Sequence, residues 1–105
     1  MYELYQAEWC PYSHRVRQRL TELGIDYIAR QVPASREART AMRQRTGDTE
    51  IPTLIAGDEI LVGPEAIFRF LEQHHPRPPG ADAHRARDRD PAVAREREEV
   101  RREFP

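Results

Sequence analysis

The chain has 105 residues, enough for one domain and not for two. With 38% hydrophobic and 33% charged residues, it predicts a compact domain over residues 1 to about 75, followed by a polar tail. A net charge of −1 gives no support to nucleic-acid binding. No apolar run reaches the roughly 18 residues a membrane-spanning helix needs. The start, Met1-Tyr2-Glu3-Leu4-Tyr5, has neither the basic opening nor the apolar stretch of a signal peptide. A lone cysteine cannot form an internal disulfide, and a small secreted domain usually needs such staples, so a reducing, cytoplasmic setting is expected. All 17 basic residues are Arg, and Lys and Asn are missing, which reads as codon bias of a GC-rich, bacterial genome.

Tyr2 to Gln6 alternates apolar and polar residues and predicts a short strand. Ala7 to Tyr12 then reads as a loop, with Pro11 suited to the first turn of a helix, where its missing N–H costs nothing. Val16, Leu20 and Leu23 follow at helical spacing, with Arg15, Arg17, Arg19 and Glu22 expected to face outward. Gly24 suits the residue that ends this helix. A second strand is expected over Ile25 to Val32, around Tyr27 and Ile28. Ser35 then caps an expected helix running to about Thr46, with a thin apolar face of Ala38, Ala41 and Met42. Thr53 to Ala56 and Glu59 to Val62 flank Gly57-Asp58 as a hairpin. Pro64 opens a third helix with Ile67, Phe70 and Leu71 on one face.

The order β-α-β-α-β-β-α predicts an α/β fold. The strand-helix-strand start makes a parallel pair and the hairpin adds antiparallel strands, giving a mixed four-stranded sheet flanked by helices. From Pro76 the composition changes: residues 76–105 hold five of the nine prolines and 15 charged residues. This charged Pro/Arg-rich tail opens on a stiff linker, Pro76 to Pro79. A short helix over about 91–102 is possible there, with so few apolar residues that it would fray in isolation. Two readings of the tail stay open: a solvated extension, or a helix that docks on the domain or on a partner.

Trp9-Cys10-Pro11-Tyr12-Ser13 stands at a strand-to-helix junction. A thiol at a helix N-terminus faces unpaired N–H groups and the positive end of the macrodipole, and both favour thiolate over thiol. Ser13 and the cations Arg15 and Arg17 are positioned to help. Thiolate is the attacking species in disulfide exchange. The bland alternative is a buried structural cysteine. Cys10 with His14 supplies too few ligands for a metal site.

Cys10-Pro11-Tyr12-Ser13 resembles the Cys-Pro-Tyr-Cys active site of glutaredoxins, with serine in place of the second cysteine. Ile51-Pro52-Thr53-Leu54 is similar to the family's Val-Pro element, with Pro52 as its cis-proline. Leu61 to Leu71 resembles the turn and last helix that glutaredoxins share with the N-terminal domains of glutathione S-transferases. The resemblance covers residues 1 to about 75 and implies a thioredoxin-like fold. It implies Cys10 as nucleophile, with Ser13 beside it as the second catalytic residue. Pro11, Tyr12, Ile51, Pro52, Gly63, Pro64 and Glu65 are the implied substrate-binding residues. Among these, the Ile51 backbone would pair with the substrate's cysteine, and the Gly63-Pro64-Glu65 turn would hold the γ-glutamyl end of glutathione. Glu65 also fits an ordinary first-turn acid favoured by the helix dipole. Tyr12 either covers the site or is an exposed loop aromatic. Trp9 reads as an edge of the cleft or a partner contact, and His14 as a tuning group or a solvent-facing side chain.

The chain also departs from the family. The cations that bind the glycine carboxylate of glutathione are replaced by Ala7 and by Asp48-Thr49-Glu50. Acidic groups there repel a carboxylate, which keeps a sugar-linked thiol open beside glutathione. With serine at position 13 the chain has no resolving thiol, so the implied activity is monothiol exchange on mixed disulfides between proteins and a small thiol. No tightly bound cofactor is expected; glutathione or another small thiol is the co-substrate, and the chain is expected to act as a monomer. The alternatives are an iron–sulfur cluster carrier and a non-catalytic binding domain on the same fold.

Overall fold

A computed structural model describes residues 1–76. The tail helix expected over about 91–102 lies outside the described residues. The elements are β1 (Tyr2–Gln6), α1 (Pro11–Glu22), β2 (Tyr27–Gln31), a single 3-10 turn (Arg36–Ala38), α2 (Thr40–Thr46), β3 (Thr53–Ala56), β4 (Glu59–Val62) and α3 (Pro64–His74). The four strands form one sheet in the order β2-β1-β3-β4. β1 runs parallel to β2, with Tyr2 opposite Tyr27 and Gln6 opposite Gln31, and antiparallel to β3, with Leu4 opposite Leu54. β3 and β4 close around Gly57-Asp58, whose Gly57 has φ 62°, a backbone region that a two-residue hairpin turn requires.

Alternation along β1 assigns the two sides of the sheet. Leu4 is fully buried with Val16 and Leu20 of α1, Leu54 and Ala56 of β3, and Ile67, Phe70 and Leu71 of α3. Burying a leucine at such a position contributes about 1.5–3 kcal/mol. Glu3 points to the other side. There Arg45 of α2 grips it through two bonds, Nη1 to Oε1 at 2.6 Å and Nη2 to Oε2 at 2.7 Å, and Arg30 of β2 adds a third contact at 2.9 Å. α2 therefore lies across the face opposite α1 and α3.

Four local expectations are revised. The second strand is shorter than expected, because Ile25 leaves the ladder to donate its N–H to the Leu20 carbonyl and join the core. The second helix is broken: Arg39, at φ −82° and ψ 52°, separates the 3-10 turn from α2. Ala38 and Ala41 are exposed and only Met42 of the thin apolar face is buried. What anchors this segment instead is the Arg39 guanidinium, 5% exposed, which donates to the carbonyls of Pro33 (2.9 Å), Ala34 (3.2 Å) and Thr49 (2.7 Å). Ser35 does not cap a helix with its side chain; its hydroxyl donates to the Glu37 carboxylate at 2.6 Å. On α1, Arg17 turns inward rather than outward, because a buried acceptor, Gln6, awaits it, and the paired Arg19 and Glu22 side chains are also largely covered, at 18% and 7% exposed.

The Arg45 guanidinium first, and Arg30 second, hold the Glu3 carboxyl down to about 2 from an ordinary 4.5. A carboxyl depressed in the fold contributes stability that is present above its unfolded value and lost as pH falls through the folded one. Thermal unfolding followed by circular dichroism should thus show a fall in melting temperature between about pH 4.5 and pH 2 that Glu3→Gln flattens. Parallel curves for the two proteins would show that the cluster adds no pH-dependent stability.

Candidate thiol site

β1 ends at Gln6, and the chain turns through Ala7 to Trp9, closed by the Cys10 N–H donating to the Ala7 carbonyl at 3.1 Å. Cys10 is the N-cap of α1, with extended backbone at φ −84° and ψ 118° and Pro11 following in the first turn. Its carbonyl accepts the His14 N–H at 3.0 Å, and its sulfur accepts the Ser13 N–H at 3.5 Å. Sγ thus does the work that a serine or aspartate oxygen does at most helix starts. Ser13 is fully buried, and its hydroxyl oxygen accepts the Ala7 N–H at 3.4 Å, which leaves its own proton free for the sulfur.

The thiol is 6% exposed, between Trp9 at 64% and Tyr12 at 54%. Burial is the largest single influence on its ionisation and raises it. The Ser13 hydroxyl, the backbone N–H groups of Ser13 and Tyr12, and the positive charge of Arg17 act the other way and together prevail, so the thiol lies below its ordinary 9.0. Donors aimed at a sulfur stabilise the thiolate, the nucleophilic form.

The remaining candidate residues come from the other half of the fold. The register sets Tyr5 opposite Thr53 and Thr53 opposite Val62. Pro52 and Gly63 therefore lie at the same end of the sheet as the Ala7–Cys10 loop. The Ile51–Pro52 peptide is cis, Pro52 is fully buried and Ile51 half-buried. The Gly63 N–H donates to the Pro52 carbonyl at 2.9 Å, joining the two segments. Asp48 shapes the approach: its carboxylate accepts the N–H of Thr49 at 2.7 Å and of Glu50 at 2.8 Å. At Gly63, φ is +88° and a Cβ would stand 3.6 Å from the Glu50 carboxylate, so that acidic group lies beside the start of α3. Pro64 occupies the first turn, and Glu65 is exposed there, as is His14 on α1. Among the described residues no group of three or more His, Cys, Asp or Glu is arranged to hold a metal ion. A shallow cavity lined by Arg19, Leu23, Leu71, Glu72 and His75 opens at the far ends of α1 and α3, away from the thiol.

Two groups at this end are not among the residues the sequence singles out. Gln6 is fully buried behind the loop and bonds to Arg17. The available signal was its parity: it shares the inward face of β1 with Leu4. Arg39 was hidden because nothing in a charged helical stretch marks which arginine turns in.

The family model for the glutathione S-transferase N-terminal domain matches residues 4–79. Glutaredoxin 3 of Escherichia coli (strain K12) is 26% identical over 66 residues, which is 63% of this chain and 80% of that protein. A glutathione S-transferase from Rhodospirillum rubrum F11 superposes with a TM-score of 0.63 at 28% identity, over 74% of this chain and only 36% of that one. The buckwheat glutaredoxin–glutathione complex superposes with a TM-score of 0.55 at 20% identity, over 69% of this chain and 68% of that one, a likeness of fold. The architecture is thioredoxin-like.

Removing the Ser13 hydroxyl takes away a donor to the sulfur while leaving the helix start in place. In Ser13→Ala, the pH profile of Cys10 alkylation by iodoacetamide should move to higher pH. On the acid side of the midpoint the rate should fall about tenfold, as expected for a hydrogen bond to a charged group. An unchanged profile would mean that the hydroxyl does not bear on the thiolate.

Proposed function

We propose that this chain, which belongs to the family of glutathione S-transferase N-terminal domains, is a monothiol disulfide oxidoreductase acting on mixed disulfides between proteins and a small thiol. The observation that carries this reading is the N-cap position of Cys10, with its sulfur accepting the Ser13 N–H where a resolving cysteine would otherwise stand. The glutaredoxin relative and the glutathione carried by the buckwheat glutaredoxin support the substrate class.

The chemistry proceeds in two exchanges. The Cys10 thiolate attacks the small-thiol sulfur of the mixed disulfide, forms a disulfide with it, and releases the protein sulfur as a thiolate. A second small-thiol anion then attacks the captured sulfur, and the symmetrical small-molecule disulfide leaves as Cys10 returns to thiolate. Ser13 steadies the sulfur through both steps and cannot replace the second thiol, because an alcohol oxygen does not open a disulfide. Tyr12 and Pro11 line the approach to the sulfur. Ile51 and Pro52 present backbone to the substrate, and the Gly63-Pro64-Glu65 turn receives the far end of the small thiol. Asp48 and Glu50 stand in the segment before Pro52 where the family's cations would meet the glycine carboxylate of glutathione and disfavour a carboxylate there, so a neutral, sugar-linked thiol suits this site better than glutathione. The reading includes a monomer working in a reducing, cytoplasmic setting.

The direct test is turnover of a protein mixed disulfide, with glutathione and with a carboxylate-free thiol as reductant. The rate should rise with small-thiol concentration, be higher for the carboxylate-free thiol, and vanish in Cys10→Ser. A reactive Cys10 that fails to turn over the mixed disulfide with either thiol would overturn the reading. A companion outcome concerns Ser13→Cys. Residues three apart at a helix start face one another, so mild oxidation should close an internal disulfide and lower the free-thiol count by two on mass analysis. Pairing only between chains would contradict this geometry.

A further inference from the structure

Gln6 is an unusual residue for its place. It ends a central strand, its side chain is fully buried, and it shares the inward side of β1 with Leu4. Both ends of its carboxamide are used. Nε2 donates to Oε1 of Gln31 at 2.9 Å, directly across the parallel register, and to Oε1 of Glu8 at 3.3 Å. Oε1 accepts from Nη1 of Arg17. A leucine would fill this volume without needing three polar partners, so the carboxamide has to be explained by what it holds.

What it holds is a cation. Arg17 stands two turns along α1 from Cys10, and a seven-residue separation returns to the same side of a helix. Its guanidinium also donates to the Ala7 carbonyl at 3.4 Å and lies 3.5 Å from the Glu8 carboxylate, leaving the side chain only 16% exposed. Ala7 in turn donates its N–H to Ser13 and accepts the N–H of Cys10. The chain of contacts Gln31, Gln6, Arg17, Ala7 thus ends on the loop that carries the thiol. Without Gln6 the exposed Glu8 carboxylate would draw the guanidinium outward, where water and salt screen it.

We propose that Gln6 is a positioning residue for Cys10: its buried carboxamide pins the Arg17 guanidinium against the Ala7 carbonyl, on the side of α1 that carries the thiol. The role rests on the thiolate chemistry proposed above and deepens it. It acts through charge, and Arg17 is among the groups that favour the ionised sulfur. The other charged or titratable groups at this end of the sheet include Glu8 and Tyr12 in the thiol loop, His14 and Arg15 on α1, Arg36 and Arg39 bonded to Thr49, Asp48 and Glu50 before Pro52, and Glu65 at the start of α3. Of these, Glu8 alone joins the network around Gln6.

The test is a double-mutant cycle read by the pH profile of Cys10 alkylation, a readout that loss of packing alone would not move. Gln6→Met keeps the volume and removes the bonds; Arg17→Met removes the cation. Each should slow alkylation about threefold on the acid side of the midpoint, and the double variant should be no slower than Arg17→Met alone. A wild-type profile for Gln6→Met, or full additivity in the double variant, overturns the proposal. Should Gln6→Met not fold, Gln31→Leu decides: it removes an exposed partner of the same carboxamide and must shift the profile in the same direction, and a wild-type profile there overturns the proposal as well. An ordinary thiol profile in the unmodified protein is a different failure, visible before any variant is made, and sinks the functional reading on which this one rests.

Discussion

β1 is a strand of five residues with a neighbour hydrogen-bonded along each edge, and the geometry of the thiol end depends on its register. Side chains alternate across a strand, so a slip of one position would turn Glu3 into the core and Leu4 toward α2. Neither can be tolerated: Leu4 is fully buried among α1, β3 and α3, while Glu3 is held by two guanidinium groups on the opposite side. With the register locked from both faces, Gln6 must end the strand opposite Gln31, and a short loop must deliver Cys10 to the first turn of α1. The same register, passed through β3 to β4, brings Pro52 and Gly63 to that end of the sheet.

The thiol at the end of this loop is under opposing influences. Burial favours the neutral form, since a charge loses hydration in a low-dielectric setting. The donors that oppose it are fixed by the fold: two backbone N–H groups of the first turn, which have no carbonyl partner within the helix, and a serine hydroxyl with no route to solvent. Because these donors are already aimed at the sulfur, ionisation requires little rearrangement. The chain neighbours Trp9 and Tyr12 on either side of the thiol's loop are exposed.

The other side of the sheet is organised by polar contacts. α2 has seven residues and buries only Met42, too little apolar surface to hold a helix that is unstable alone. Arg39 and Arg45 supply the difference, the first by saturating three backbone carbonyls and the second through Glu3. Arg39 reaches Thr49 and Asp48 caps the next two N–H groups, so the segment entering Pro52 is held at successive residues. The conformation at Ile51 and Pro52 is thus supported from α2 as well as from β4.

By itself the sequence determined most of the elements, because they rest on local rules; the break at Arg39 that splits the second helix does not. Alternation marked Tyr2–Gln6, helical spacing with Pro11 and Pro64 marked the starts of α1 and α3, and Gly57-Asp58 marked the hairpin. A serine three residues after a lone cysteine, at a strand-to-helix junction, also made the thiol legible, since the dipole and the free N–H groups follow from position in a helix alone. The tertiary structure decided which of many similar charges find fixed partners. In a chain whose 17 basic residues are all arginine, composition and spacing cannot separate Arg17, Arg39 and Arg45 from their solvated neighbours. Each is defined by an acceptor outside its own helix: Gln6 at the end of β1, the carbonyls of Pro33 and Thr49 in the loops flanking α2, and the carboxylate of Glu3. Such partners meet only when the sheet closes, because a buried polar group is satisfied by whatever the fold brings within hydrogen-bond reach and not by its neighbours in the chain.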